Sequence, residues 1–257
     1  MTIATKSNPF SVEGQIALVT GGGTGLGFAI ASAMIDAGAR VAIAGRRRDV
    51  LDEAVNKLGS RACAVTLDIT EPNAPEDCVA TLTKTLGPIS ILVNNAGIHL
   101  KKFARDTSVA EFTAVWQTHV QGAFALSRAV IPSMQQQQSG SILFIASMTS
   151  LIGMPQVVAY AAAKSAYIGM VRSLACELAS DMIRVNAIAP GWIETPMLYD
   201  ALDKDLPRKS KILSRTPLAR FGHPSDIGLA AVYLSSEAAR FITGVTLPVD
   251  GGASIGF

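Results

Sequence analysis

The chain has 257 residues, 49% of them apolar and only 16% charged, with a formal net charge of +2. That length suits one large domain with an ample core, and the apolar content excludes a disordered chain. The charge is nearly balanced and spread along the chain without a basic stripe, which excludes a non-specific nucleic-acid binder.

Cys63, Cys78 and Cys176 are dispersed and show no CxxC spacing, which argues against a disulfide framework or a structural zinc site and fits a reducing compartment. The opening MTIATKSNPF lacks the apolar core of a signal peptide. Residues 1–9 read as a loose, flexible tail ahead of a single domain over 10–257. No apolar run reaches the ~18 residues that span a membrane; even 160–179 is interrupted by Lys164, Arg172 and Glu177. The expectation is a soluble, cytoplasmic protein that engages neither membrane nor nucleic acid.

Short apolar runs rich in β-formers are expected as strands at 16–20, 41–44, 62–67, 89–94, 141–147, 183–188 and 245–249. Helical patterns lie between them at 26–38, 48–58, 75–86, 109–136, 155–179 and 224–236. The strands are continuous apolar runs, as parallel strands covered on both faces should be. Regular β-α alternation predicts a doubly wound α/β sheet with helices on both faces. Segment 192–215 departs from the alternation. It follows Pro190-Gly191 and exceeds the usual connection of about two to six residues. Such insertions at the carboxyl ends of strands cover a binding crevice; a solvated surface excursion is the alternative.

The first strand runs into Thr20-Gly21-Gly22-Gly23-Thr24-Gly25-Leu26-Gly27 and then into a helix. Glycines let the backbone approach a pyrophosphate, whose charge is favoured at a helix N-terminus. The loop lacks the Lys-Ser/Thr ending of a nucleoside-triphosphate loop. Strand two ends in Ala44-Gly45-Arg46-Arg47-Arg48. An NAD-selecting site would carry a carboxylate near there, for the ribose 2′-hydroxyl. Gly45 takes that place, and the cations at the start of a helix make sense around an anion. NADP(H) is therefore expected over NAD(H), with Arg46 and Arg47 near the 2′-phosphate; a solvated basic helix start is the plainer alternative.

On the 155–179 helix, Tyr160 and Lys164 stand four apart and share a face. A free Tyr titrates at ~10, and a neighbouring Lys⁺ favours its phenolate. Ser147, at the end of strand five, is placed to hold a carbonyl oxygen while Tyr160 gives or takes the proton.

With TGGGTGLG, Asn94-Asn95-Ala96-Gly97, Ser147, Tyr160/Lys164 and Pro190-Gly191 in order, the chain resembles the short-chain dehydrogenase/reductase family over about residues 14–252. The resemblance implies a Rossmann-type sheet of seven parallel strands and a nicotinamide cofactor. It makes Tyr160 the acid/base and Ser147 the substrate-orienting group. Lys164 holds the nicotinamide ribose and lowers the tyrosine pKa. Gly21, Gly23, Thr24, Gly25, Leu26 and Gly27 cradle the cofactor, with Asp68 and Ile69 at the adenine. Asn94, Ala96 and Gly97 line its cleft, and Pro190, Gly191, Ile193 and Thr195 stand at the carboxamide. The family usually has a catalytic Asn in an N-x-x-G pattern, where this chain has His119 in Gln117-Thr118-His119-Val120-Gln121-Gly122. His119 either joins a proton relay, with a rate inflection between pH 6 and 7, or is a packing histidine. His99 and His223 are too dispersed to form a metal site with it.

Within the family, NNAGIHLKKF, the SMTS run and Arg215-Thr216-Pro217-Leu218-Ala219-Arg220-Phe221-Gly222 look most like gluconate 5-dehydrogenase and related sugar-acid or polyol dehydrogenases. A 3-oxoacyl-carrier-protein reductase shares every catalytic residue quoted, and a nicotinamide-binding sensor without turnover is a third reading. The lid carries Lys204, Arg208, Lys209, Lys211 and Arg215 against Asp200, Asp203 and Asp205. A mildly positive cover suits an anionic substrate, or is simply a solvated face. Met154, Trp192 and Tyr199 are candidate pocket walls. The low charge content and the long apolar helices match the family's homotetramers.

Overall fold

The computed structural model describes residues 8–195, 198 and 206–256. Tyr199, Lys204 and the lid acids Asp200, Asp203 and Asp205 lie outside them, as does most of the expected tail. The strands are β1 (Ile16–Thr20), β2 (Arg40–Gly45), β3 (Ala62–Thr66), β4 (Ile91–Asn94), β5 (Gly140–Ile145), β6 (Ile183–Pro190) and β7 (Thr246–Val249). All pair in parallel in the order β3-β2-β1-β4-β5-β6-β7. The helices are α1 (Gly25–Asp36), α2 (Arg48–Leu58), α3 (Ala74–Leu86), α4 (Val109–Trp116), α5 (Gly122–Gln137), α6 (Val158–Leu178), α7 (Leu206–Ser214) and α8 (Pro224–Ser235).

Strand side chains alternate between two cores, as the two-residue period requires. Leu18, Ile142 and Phe144 face one way and pack with Leu82 of α3, Leu126 and Met134 of α5, and Tyr167 and Val171 of α6. Val19, Leu143 and Ile145 face the other way, against Ile30 and Met34 of α1, Leu51 of α2 and Ile227 of α8. The sheet is thus covered on both faces, which is why its strands read as unbroken apolar runs. Strand order reverses between β1 and β4, and the crevice beyond their carboxyl ends is where such sheets bind ligands.

Two expected elements differ. The pattern read as one helix over 109–136 is α4, a π turn over Gln117–Gln121, and α5. The π turn widens the helix by one residue without disturbing its apolar face, so sequence periodicity does not register it. Strand five stops at Ile145, and Ser147 instead caps a single 3-10 turn, Met148–Ser150, its Oγ accepting from the Thr149 N–H at 3.2 Å. A serine hydroxyl that satisfies a backbone donor favours the turn over continued strand.

The 192–215 segment is partly structured. Leu198, Ile212 of α7 and Phe221 form a small core with Trp192 and Leu213 packed on it, and Ile193 bridges to Gly222.

Candidate active site

The glycine loop is shaped by contacts that only glycine permits. Gly21 holds a left-handed φ of +63°, and a Cβ on Gly27 would stand 2.2 Å from the Gly21 carbonyl oxygen. Thr24 caps α1 without spending its side chain on the helix, and the first turn carries no acid. The N–H groups there, with the positive end of the helix dipole, form an anion site. Two motif residues assigned no separate role from the sequence lock this loop to the β4 end. The Thr20 hydroxyl accepts from the Asn95 and Ala96 N–H groups at 2.9 Å each, and the Asn95 amide donates to the Thr20 carbonyl at 2.8 Å. A buried threonine closing an apolar strand was the available signal. Asn94, expected in the cleft, is buried instead and donates to Ser127 of α5 at 3.0 Å. Its side chain fastens β4 to a helix.

At the end of β2, Arg46 is exposed and lies 4.0 Å from Asp68. Asp68 accepts from both the hydroxyl and the N–H of Thr70, at 2.7 and 3.0 Å, and these bonds hold its pKa below the ordinary carboxylate value. Arg47 caps α2, and Arg48 is committed to Asp52 at 2.9 Å. Arg46 therefore has only the long contact to Asp68, and Arg47 has no ion pair among the described residues. Exposed arginines between the end of β2 and the start of α2 fit a phosphorylated dinucleotide.

The expected catalytic side chains converge beyond the carboxyl end of β5. The Ser147 hydroxyl lies close enough to the Tyr160 phenol to act on its acidity. Lys164 is buried, and its Nζ donates to the Ile145 carbonyl at 2.5 Å, 4.9 Å from the ring centroid of Tyr167 and 5.6 Å from that of Tyr160. Here the expected electrostatics change sign. Burial pushes Tyr160 above the ordinary tyrosine pKa, with the Ser147 hydroxyl opposing it. Burial likewise pulls Lys164 down to about 7, so near neutrality its ammonium carries only part of the charge that the sequence argument gave it.

His119 sits in the π turn, fully buried. Its Nε2 lies 2.8 Å from the Ile98 carbonyl and 3.1 Å from the Ile98 N–H, and its ring meets Tyr160 edge-on at 5.5 Å. The ring fills the space beside Gly97, where a Cβ would lie 2.1 Å from Cε1. The His119 carbonyl accepts the Tyr167 hydroxyl at 2.9 Å. Burial, then the nearby Lys164, lowers the imidazole to about 3. Held that low, the imidazole is neutral near pH 7, which of the two readings favours the packing histidine over the relay. His99, considered at first only as a metal ligand, is exposed and places its ring 5.0 Å from that of Tyr160.

Beyond β6, Gly191 donates to the Val249 carbonyl at 3.0 Å, Ile193 is buried, and the Thr195 hydroxyl accepts from the Leu198 N–H at 3.3 Å. Met154 lies half-buried in the loop before α6, whereas Trp192 packs on Leu198, Ile212 and Phe221. Among the described residues there is no group of His, Cys, Asp or Glu side chains able to hold a metal, and no helix long and apolar enough to cross a membrane.

A family model described as enoyl-(acyl carrier protein) reductase matches residues 21–254. The chain is 34% identical to a 3-oxoacyl-[acyl-carrier-protein] reductase of Thermotoga maritima, over 95% of this chain and 99% of that one. It is 36% identical to a 2-dehydro-3-deoxy-D-gluconate 5-dehydrogenase of Formosa agariphila, over 96% of each. The crystal structure of a gluconate 5-dehydrogenase from Burkholderia cenocepacia, in complex with NADP and tartrate, superposes with a TM-score of 0.92 at 30% identity, covering 97% of this chain and 98% of that one.

The histidine environment gives an expected outcome. An unfolded chain protonates His119 below about 6.5, whereas the folded one resists until about 3. Its contribution to stability is therefore present above pH 6.5 and is lost as pH falls towards 3. In chemical denaturation, the stability gap between wild type and His119→Asn should narrow from pH 7 to pH 4. The rate profiles of the two should share any inflection near pH 7; an inflection that vanishes only in the variant would show the imidazole titrating.

Proposed function

From the premise that the chain belongs to the short-chain dehydrogenase/reductase family of NAD(P)-dependent oxidoreductases, we propose that it interconverts a secondary alcohol and a ketone with NADP(H), on a polyol or sugar acid. One observation carries the reading: Tyr160, with Ser147 acting on its phenol, stands beside a buried lysine whose Nζ is 5.6 Å from the tyrosine ring, at the ligand edge of the sheet.

A bound nicotinamide supplies the hydride acceptor or donor. Everything else falls to this chain. The glycine loop from Gly21 to Gly27 holds the pyrophosphate against α1. Arg46 and Arg47 take the 2′-phosphate, and Asp68 and Ile69 flank the adenine. Ala96 and Gly97 line the cleft together with the backbone of Asn94. Pro190, Gly191, Ile193 and Thr195 serve the carboxamide end, and Lys164 the ribose. Ser147 donates to the substrate carbonyl oxygen. Tyr160 delivers a proton to that oxygen in reduction and recovers it in oxidation. The phenol holds its proton near neutrality with or without burial; burial makes it a weaker acid, and Ser147 opposes that shift.

Similarity to the sugar-acid enzymes from Formosa agariphila and Burkholderia cenocepacia supports the substrate class. A second reading, reduction of a 3-oxoacyl thioester, draws on the comparable match to the Thermotoga maritima enzyme. Exposed Phe103, Phe124 and Val158 near α4–α6, with Leu229, Phe241 and Val245 around α8 and the unpaired edge of β7, support a homotetramer, and free cysteines dispersed along the chain support the cytoplasm.

NADPH oxidation with 5-ketogluconate and with a β-ketoacyl thioester separates the two readings. Tyr160→Phe should cut kcat by at least about a hundredfold on whichever substrate is used, the scale of a positioned general acid. Retained turnover would refute the proton assignment. Arg46→Asp should weaken NADPH about ten- to hundredfold, the equivalent of one charge-assisted bond of about 1.5–3 kcal/mol. NADH binding should hold or improve; an equal loss for both cofactors would remove Arg46 from the 2′-phosphate.

A further inference from the structure

The segment from Ile98 to Lys102 forms one wall beside Tyr160, and it is pinned at both ends. Ile98 is gripped at its backbone by the buried His119 ring. Lys102 donates its N–H to the Gln156 carbonyl at 2.8 Å, across to the loop that carries Ser147, and its ammonium is paired with Glu111. Between these anchors His99 is exposed, its ring 5.0 Å from the Tyr160 ring. An imidazole offers a donor and an acceptor at its edge, so this one reaches substrate atoms a few bonds from the carbon that Tyr160 serves. The two segments that flank it carry, between them, cations and no acid of their own. Residues 96–104 carry Lys101 and Lys102 and no acid, and the facing loop 147–156 carries no charged residue. With Lys102 neutralised by Glu111, Lys101 is the cation this wall has left to attract an anion.

We propose that His99 is a specificity-determining residue that hydrogen-bonds the carboxylate end of a hydroxylated keto acid, with His119 as the positioning residue that fixes the wall beneath it. The inference rests on the oxidoreductase reading, with Tyr160 as proton donor, and narrows its substrate to the anionic class. The Ile98 clamp explains why a neutral, buried histidine serves in the π turn: its ring spans the gap to the Ile98 backbone and fills the space beside Gly97. Through that clamp the ring governs where His99 projects and takes no part in the proton transfer.

The experiment is steady-state kinetics of NADPH oxidation with 5-ketogluconate for wild type, His99→Ala and His99→Gln, with NADPH affinity read separately by fluorescence. His99 is exposed, so both variants should fold. His99→Ala should raise KM for the keto acid about tenfold, the loss of one good hydrogen bond. Its kcat should stay within about threefold, with NADPH affinity unchanged, and His99→Gln, which restores a donor, should recover part of the loss. An unchanged KM overturns the proposal, as does a parallel fall in kcat and NADPH affinity, which would mark a structural role. A wild-type protein that reduces β-ketoacyl thioesters and leaves 5-ketogluconate untouched overturns it too. In that last case loss of thioester turnover in Tyr160→Phe leaves the oxidoreductase reading standing, whereas retained turnover in that variant removes the reading itself.

Discussion

Lys164 is a cation set inside a protein without a carboxylate partner among the residues that act on it. Its Nζ donates to the carbonyl that ends β5 and faces two tyrosine rings. Burying an ammonium ion is costly, and the protein meets that cost by loosening the proton: the group falls to about 7. Cation–π attraction from Tyr160 and Tyr167 recovers only part of the lost hydration. The end of β5, the 3-10 turn of Ser147 and the first two turns of α6 are thus arranged around a group whose charge varies near neutrality.

The same burial sets the acidity of the neighbours. Tyr160 is pushed upward and tempered by Ser147, while His119 is driven far down and stays neutral. Of Lys164, Tyr160 and His119, only Lys164 carries charge near neutrality, and a bound anion would favour its protonated form. On the other side of the crevice the glycine loop offers unsatisfied N–H groups, held in place by Thr20 and Asn95. The two halves meet at the β1/β4 boundary, where the strand order turns, so one sheet edge presents both an anion cradle and a proton donor.

Much of this was legible in the chain. Continuous apolar runs alternating with helical patterns led directly to a covered parallel sheet, because each strand must be apolar on both faces. The glycine loop between strand and helix, and the four-residue spacing of Tyr160 and Lys164, are local constraints that sequence states outright. The π turn at His119 was not legible, since one added residue leaves the apolar face intact. The departure of Ser147 from the strand, and the turning of Asn94 towards Ser127, depend on partners distant in sequence. The sign of the tyrosine shift also escaped: spacing reports that Lys164 is near, and only packing reports that both groups are dry. His99 looked isolated because its neighbour Tyr160 lies sixty-one positions along the chain.

The most direct measurement is the titration of Lys164 itself, by NMR of side-chain carbons in lysine-labelled, cofactor-free protein, with the resonance assigned by its absence in Lys164→Met. Burial without a countercharge predicts one lysine that deprotonates near pH 7 while the others titrate near the ordinary ~10.4. A Lys164 resonance that moves with the rest would mean that the ammonium keeps its charge in the folded protein, and the electrostatic account of the site would fall.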